Sequence, residues 1–259
     1  MQIIPSRDPQ RSFVIATVSI LTGLILWSLL SGNLVSATLL PHPRSVWLEA
    51  VEQSRTGVLW ESIGISLWRI GCGWALGAAA GVFTGLVLGG VRAVEAIIGP
   101  IFEFLKGIAP ISLVPIMILW FGIGELPKVL IIAYITWVVV AVSTMTGVKE
   151  VPKTRLRAGR CLGLSQAQMF YKIILPSATP FVLSGIRSGL GFAYIALVSA
   201  EIIAVDKGIG FLIMDSRLNL QTPLMLVGIF ALGLLGASSQ LIFDLVTRRI
   251  LWFSRFRNQ

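Results

Sequence analysis

Charged residues are scarce in this sequence. Only 13% of its 259 residues are Asp, Glu, Lys or Arg, whereas soluble globular domains carry about 25%. Hydrophobic residues make up 55% of the chain, and the mean hydropathy is +0.86. This composition excludes an ordinary soluble domain and is typical of an integral membrane protein with little mass outside the lipid bilayer.

Cysteine and histidine are nearly absent, and this argues against an enzyme. The chain has two cysteines and one histidine. Cys72 lies in an apolar stretch and Cys161 in a basic one, so a disulfide between them is not expected. His42 stands between two prolines without candidate co-ligands, so no metal site is predicted. No nucleophile–base set is apparent.

Two binding motifs are also missing. The phosphate-binding pattern G-x-x-x-x-G-K-[ST] does not occur, so the chain is not expected to hydrolyse ATP or to bind a cofactor itself. The net charge is +9, but no basic stretch is interleaved with aromatic residues. A basic membrane protein usually owes its charge to cytoplasmic loops, so the lipid bilayer is a predicted partner and nucleic acid is not.

Long apolar runs dominate the sequence. A bilayer core requires about 20 apolar residues in a helix, and six runs approach this length: 13–31, 67–90, 97–122, 129–148, 182–205 and 224–246. They predict an all-α polytopic membrane protein with about six transmembrane helices. A signal peptide is the alternative for 13–31, because Val35-Ser36-Ala37 resembles a cleavage site. The run is longer than the usual apolar region of about 7–15 residues, which favours a retained helix.

The segments between the runs complete the predicted organisation. Residues 32–66 form an outer loop, in which apolar residues from Val46 to Val51 recur at the spacing of a helix lying on the membrane surface. Residues 67–247 form a core of five transmembrane helices. Residues 1–12 and 248–259 are the ends of the chain, and most Lys and Arg fall on their side of the membrane. The positive-inside rule therefore places both termini in the cytoplasm.

The longest polar interval, 148–180, predicts a docking surface. It has six basic residues and one acid, Glu150. Gly163 is suited to end a first short helix, and Ser165 with Gln168 forms a capping-box pair that begins a second. We expect the second helix to end at Leu175-Pro176. The alternative is an ordinary amphipathic loop at the lipid headgroups, with its basic residues serving topology alone.

Polar residues inside the third and fifth runs are candidates for a translocation path. A lysine in an apolar segment is costly and marks a functional site by default, although Lys106 can also extend toward the interface. Arg187 can instead neutralise the inner membrane surface, and Glu201 can pair with Lys207. The candidate path residues are Lys106, Pro110, Ser112, Arg187, Tyr194, Ser199 and Glu201.

Glycines in the second run recur every four residues, at Gly73, Gly77, Gly81 and Gly85. This spacing places small residues on one helix face, where a second helix can approach closely. It predicts tight helix packing within the subunit or across a dimer.

The polar interval resembles the EAA loop of binding-protein-dependent ABC importer permeases. The resemblance rests on Ala158, Gly163 and the Ile174-Leu175-Pro176 ending; the chain departs from the pattern at Arg157, where the family usually has Glu, and at Gly159. It implies a coupling helix that docks on a cytoplasmic ATPase. The implied docking residues are Arg155, Arg157, Ala158, Gly159, Leu162, Gly163, Leu164, Ser165 and Phe170.

A second resemblance is to the sulfonate, taurine and nitrate type of importer permease. It rests on motifs that occur in order from Leu40 to the end of the chain, among them Leu113-Val114-Pro115, Trp120 to Glu125, Ser184 to Arg187 and Ser199 to Ile203. It implies a small anionic solute, with sulfonate or taurine as first choice and nitrate, bicarbonate or cyanate next. The chain departs from the family at Lys106, often Arg, and at Ala109, often Pro.

Together the resemblances imply a type I ABC importer, with the MetI-like fold, in a bacterial cytoplasmic (inner) membrane. The implied partners are two cytoplasmic ABC ATPase subunits carrying ATP and Mg, a second permease copy, in a homodimer by first choice, and a periplasmic or lipid-anchored substrate-binding protein. The alternatives are an ion-coupled secondary transporter and a non-transporting membrane adaptor. Inverted repeats with matching broken helices are typical of the former, and the second half has no counterpart to the proline-broken third run.

Overall fold

The computed structural model describes residues 9–32, 34, 36, 38–203 and 207–256. Residues 1–8, Val35, Ala37, Val205 and Arg257, on which parts of the predictions above rest, lie outside the described residues. Within them the regular structure is helical. The helices are α1 (Pro9–Leu30), α2 (Pro43–Thr56), α3 (Val58–Gly90), α4 (Arg92–Lys106), α5 (Pro110–Phe121), α6 (Glu125–Lys149), α7 (Lys153–Cys161), α8 (Gln166–Met169), a π-helical turn (Phe170–Ile174), α9 (Leu175–Ile203), α10 (Ile209–Leu218) and α11 (Thr222–Phe256).

Four described helical segments are long and apolar enough to cross a bilayer: Val58–Gly90, Glu125–Lys149, Gln166–Glu201 and Thr222–Thr247. The helix pair α4 and α5 is a fifth if it counts as one broken span. Residues Thr17–Leu30 form a shorter apolar helix. A multi-pass helical protein is therefore confirmed, whereas the predicted number of about six spans is only approached.

The chain divides into two compact units, Met1–Trp60 with Leu212–Ile229, and Glu61–Phe211 with Phe230–Gln259. In the first unit, the indole Nε1 of Trp27 donates to the carbonyl of Pro41 at 3.1 Å. His42 caps helix α2, because its side chain accepts a hydrogen bond from the backbone N–H of Arg44. The predicted helix in the outer loop is thus observed as α2, with Val46 buried and Trp47 exposed.

In the second unit, the glycine repeat of α3 packs against α6. A Cβ on Gly73 would lie 2.6 Å from Ile132 Cβ, and one on Gly85 would lie 2.5 Å from Thr144 Cβ. Real side chains do not approach so closely, so only glycine allows the two backbones to come together at these positions. The prediction of tight packing is confirmed within the subunit.

Helix α9 also packs against α6 through small residues. A Cβ on Gly185 would lie 2.6 Å from Ser143 Cβ. Ile132, Ala193 and Leu197 belong to one buried apolar cluster that joins α6 and α9. Helices α3, α6 and α9 are therefore held together along most of their length.

The third apolar run is broken, as its prolines predict. Helix α4 ends at Lys106, α5 begins at Pro110, and the two axes differ by 96°. Proline is tolerated in the first turn of a helix, where its missing N–H has no partner to lose. Pro110 therefore fits at the start of α5. The turn between α4 and α5 lies within a segment that is otherwise apolar enough for the membrane.

Candidate coupling surface and buried ionic network

The two short helices predicted in the polar interval are present. The first is α7, which is followed by Gly163 with a φ of +70°. The second begins at Ser165, whose Oγ accepts from the backbone N–H of Gln168 while the Gln168 side chain accepts from the backbone N–H of Ser165. The left-handed glycine and the capping box are both confirmed.

The predicted end of the second helix at Leu175-Pro176 is wrong. Helix α8 continues through the π-helical turn Phe170–Ile174 directly into α9. In this turn the N–H of Leu175 donates to the carbonyl of Phe170, five residues earlier. Proline cannot donate to the α-helical ladder and its ring crowds the carbonyl four residues before it. The wider turn just before Pro176 accommodates that ring, so the helix continues into the membrane span.

The residues predicted to dock an ATPase form one mostly exposed surface. Leu162 has 79% of its surface exposed, and the side chains of Arg155, Arg157 and Arg160 are also exposed. Gly159 is buried against Ile173, and a Cβ there would lie 2.5 Å from Ile173 Cδ1. The surface thus presents several cations around a small apolar region.

At the opposite end of α6 the structure has a buried ionic network that the sequence analysis missed. Arg69 of α3 donates to both carboxylate oxygens of Glu125 at 2.5 and 2.7 Å. It also donates to Glu201 of α9 at 2.6 Å and to the carbonyl of Lys207 at 2.8 Å. Lys128 adds a second cation, 2.9 Å from Glu125.

Glu201 is fully satisfied within this network. Its Oε1 also accepts from Ser66 Oγ at 2.8 Å, and its Oε2 accepts from the backbone N–H of Gly210 at 2.7 Å. Arg69 and Glu201 are each 1% exposed. A buried charge is tolerated only when it is paired and hydrogen-bonded. The network therefore joins α3, α6, α9 and the start of α10 through groups that depend on one another.

Arg69 was missed because the second span was expected to begin at 67, so that its charge counted as part of the outer surface. Helix α3 begins earlier, at Val58, and Arg69 lies well inside it. The predicted Glu201–Lys207 pair is wrong. Lys207 instead donates to Glu61 at 2.6 Å, and this exposed carboxylate raises the pKa of Lys207. One signal was available in the sequence. Arg69, Glu125 and Glu201 are charged residues that each lie near the end of an apolar run.

The other predicted path residues each bond to a different neighbour. Lys106 pairs with Glu103 at 2.5 Å, and Arg187 pairs with Asp244 at 2.8 Å. Ser112 is exposed and Ser199 is half-buried, and they donate to the carbonyls of Ala109 and Ile195. Pro110 begins α5, and Tyr194 contacts Leu235 and Ser239. Among the described residues, no hydrogen bond or ion pair joins two of the predicted path residues.

Comparison with known proteins identifies the family. Residues 77–252 match the family described as binding-protein-dependent transport system inner membrane component. The chain is 32% identical to the taurine transport system permease protein TauC of Escherichia coli K12, over 93% of this chain and 89% of that one. It is 33% identical to the putative aliphatic sulfonates transport permease protein SsuC of Bacillus subtilis 168, over 87% and 82%. It is 31% identical to the bicarbonate transport system permease protein CmpB of Synechocystis sp. PCC 6803, over 84% and 81%.

Solved structures give the fold. A chain of the MetNI methionine ABC transporter in an inward-facing conformation superposes with a TM-score of 0.60 at 16% identity, over 75% of this chain and 95% of that one. A chain of an amino acid ABC transporter superposes with a TM-score of 0.59 at 14% identity, over 77% and 95%. The predicted MetI-like fold is confirmed. The chain therefore belongs to the family of binding-protein-dependent transport system inner membrane components, as a multi-pass permease subunit of an ABC importer and not an enzyme.

Proposed function

We propose that this permease imports a small anionic solute, with a sulfonate such as taurine as first choice and nitrate, bicarbonate or cyanate next. The relatives named for taurine, aliphatic sulfonates and bicarbonate support this substrate class. Two copies of the chain line the pore, a periplasmic or lipid-anchored binding protein delivers the solute, and both termini are cytoplasmic. ATP and Mg bind to two partner ATPase subunits.

The proposed mechanism of ATP-driven import rests on one observation, the continuity of the helix from Gln166 into α9. The basic surface of α7, together with the neighbouring α8, docks on an ATPase subunit. A helix transmits displacement along its axis because its backbone hydrogen bonds resist bending. When ATP brings the ATPase subunits together, α8 moves with them and pulls α9, together with α6 packed against it. The pore then changes from inward-open to outward-open.

The cations near the break of the third run and in α9 provide weak anion sites along the path. Lys106 and Arg187 are each about half exposed, so their charges can reach a solute. Pro110, Ser112 and Ser199 line the same path as neutral groups, whereas Tyr194 is buried in the apolar core and is not placed on the path. Glu201 has no exposed side-chain surface, and we assign it to the ionic network instead.

Uptake into proteoliposomes tests the substrate class. The permease, its ATPase and its binding protein are reconstituted, and ATP-dependent uptake of labelled taurine is measured with unlabelled alkanesulfonate, nitrate, bicarbonate or methionine as competitors. We expect the sulfonates to compete best and methionine not to compete. Uptake that continues without the ATPase and stops with a protonophore would instead show a secondary transporter.

Substitutions at Gly163 test the docking surface. A β-branched residue is strongly disfavoured at a φ of +70°, so Gly163→Val is expected to misplace α8 and to reduce ATPase co-purification by about tenfold, the effect of roughly 1.4 kcal/mol. Asparagine tolerates this conformation, so Gly163→Asn is expected to retain most of the binding. Gly233→Ala, on a helix face with no atom within 4 Å of the added Cβ, is the control. Equal retention by Gly163→Val and Gly163→Asn would contradict the docking role.

A further inference from the structure

Helix α4 runs along α6 into the part of the protein that crosses the membrane. Near the start of α4, Glu95 pairs with Lys149 at the end of α6 at 2.6 Å. Farther along, the rings of Phe102 and Trp137 are in contact, with their centroids 5.4 Å apart. The two helices are therefore antiparallel, and the Trp137 contact lies about 18 Å from Lys149 along α6, at about 1.5 Å per residue. This contact is near the middle of α6.

A cavity of about 480 Å³ lies beside α4, and we call it the α4 cavity. Glu103, which directly follows Phe102, lines it and pairs with Lys106 at 2.5 Å. Charged side chains at such a depth in a membrane face a water-filled space and not the lipid. The α4 cavity is therefore a polar space that extends from the middle of α6 to its end. Its charged lining residues are Arg92, Glu95, Glu103 and Lys149.

Groups of both signs are available at the Lys149 end of the α4 cavity. The Arg92 side chain is exposed, and within the described part of the chain it forms no hydrogen bond or ion pair. Lys149 donates to Oε1 of Glu95, while Oε2 of Glu95 accepts no bond from any described residue. Residues three apart on a helix are neighbours. A guanidinium and a carboxylate oxygen that are both open to a ligand thus lie close together at one cavity.

We propose that the α4 cavity binds a short zwitterionic solute, with its anionic group at Arg92 and its amine at Glu95. This inference rests on the proposed function and narrows it. A solute that carries both groups, such as an amino-sulfonate, satisfies the free cation and the free carboxylate oxygen together. An anion without an amine meets the carboxylates of Glu95 and Glu103 as like charges, so it binds more weakly.

A phosphatidylethanolamine headgroup carries the same two charges as such a solute. Its acyl chains, however, would lie beside the Glu103–Lys106 pair, where apolar chains leave charged groups without water. The α4 cavity therefore suits a free solute better than a lipid.

Uptake by variant permeases tests the proposal. ATP-dependent uptake of labelled taurine and of labelled ethanesulfonate, which lacks the amine, is measured in proteoliposomes with the same ATPase and binding protein. Glu95→Gln is expected to lower the ratio of taurine uptake to ethanesulfonate uptake about tenfold, because the amine loses its charged partner. Glu61→Gln, which changes another exposed carboxylate paired with a lysine, is expected to leave the ratio unchanged. Arg92→Gln is expected to lower uptake of both solutes, since each carries a sulfonate.

An unchanged ratio in Glu95→Gln, or wild-type uptake of nitrate but not of taurine, would overturn this inference and leave the proposed function standing. Absence of any ATP-dependent anion uptake by the wild type would overturn both. Native mass spectrometry of permeases released from vesicles of phosphatidylethanolamine and phosphatidylglycerol tests the lipid. Equal retention of lipid by the wild type and by Arg92→Gln/Glu95→Gln supports the inference. A phosphatidylethanolamine that only the wild type retains would assign the cavity to lipid and overturn it.

Discussion

Replacing Arg69 with alanine is expected to lower the free energy of unfolding by about 3–5 kcal/mol, because it leaves Glu201 buried without its countercharge. Glu201 retains bonds from Ser66 and from the N–H of Gly210, but neither carries a charge. Titration with denaturing detergent, followed by circular dichroism, measures the change. ATP-driven uptake is expected to fall as well, because the ionic link from α3 to α6 and α9 is lost.

Two variants separate this effect from a general loss of surface charge. Lys207→Ala removes an exposed ion pair with Glu61, and exposed pairs contribute little, so its unfolding transition is expected to stay close to that of the wild type. Arg69→Met/Glu201→Gln removes both buried charges together and is expected to recover much of the stability, because breaking a buried pair costs more than replacing it. If Arg69→Ala were as stable as Lys207→Ala, the network would not hold these helices together.

Replacing Gly77 with alanine is the second substitution with a large expected effect. The added Cβ would contact the carbonyl oxygen of Ala133 in α6, which is a backbone atom and cannot turn away. Separating α3 from α6 is expected to cost about 1–3 kcal/mol or more. The loss should appear both in the unfolding titration and in reduced uptake, because the neighbouring glycines of α3 would also lose their close contact with α6.

Gly71 provides the matched control on the same helix. A Cβ there meets no atom within 4 Å, and alanine is a better helix former than glycine. Gly71→Ala is therefore expected to be neutral or slightly stabilising. Equal loss of stability in both variants would mean that the contact with α6 does not determine the effect.

Local chemistry made much of the coupling surface predictable from sequence. Gly163 is preferred where φ is positive, and Ser165 with Gln168 satisfies backbone groups within four residues, so both features depend on neighbours in the chain. The extent of the second helix was not predictable from Leu175-Pro176 alone. A proline usually ends a helix, and the π-helical turn that accommodates it leaves no clear pattern in the sequence.

From the sequence one could predict that the chain is a helical membrane protein and where the helices of its basic loop begin. These properties follow from hydropathy and turn chemistry, which act over short distances along the chain, whereas the family resemblance rests on sequence motifs. Only tertiary packing brings the glycines of α3 against α6 within one subunit and places Arg69 between the buried Glu201 and the half-exposed Glu125. Glu125 and Glu201 are 56 and 132 positions from Arg69. Only the packing of three helices brings the three charges within bonding distance.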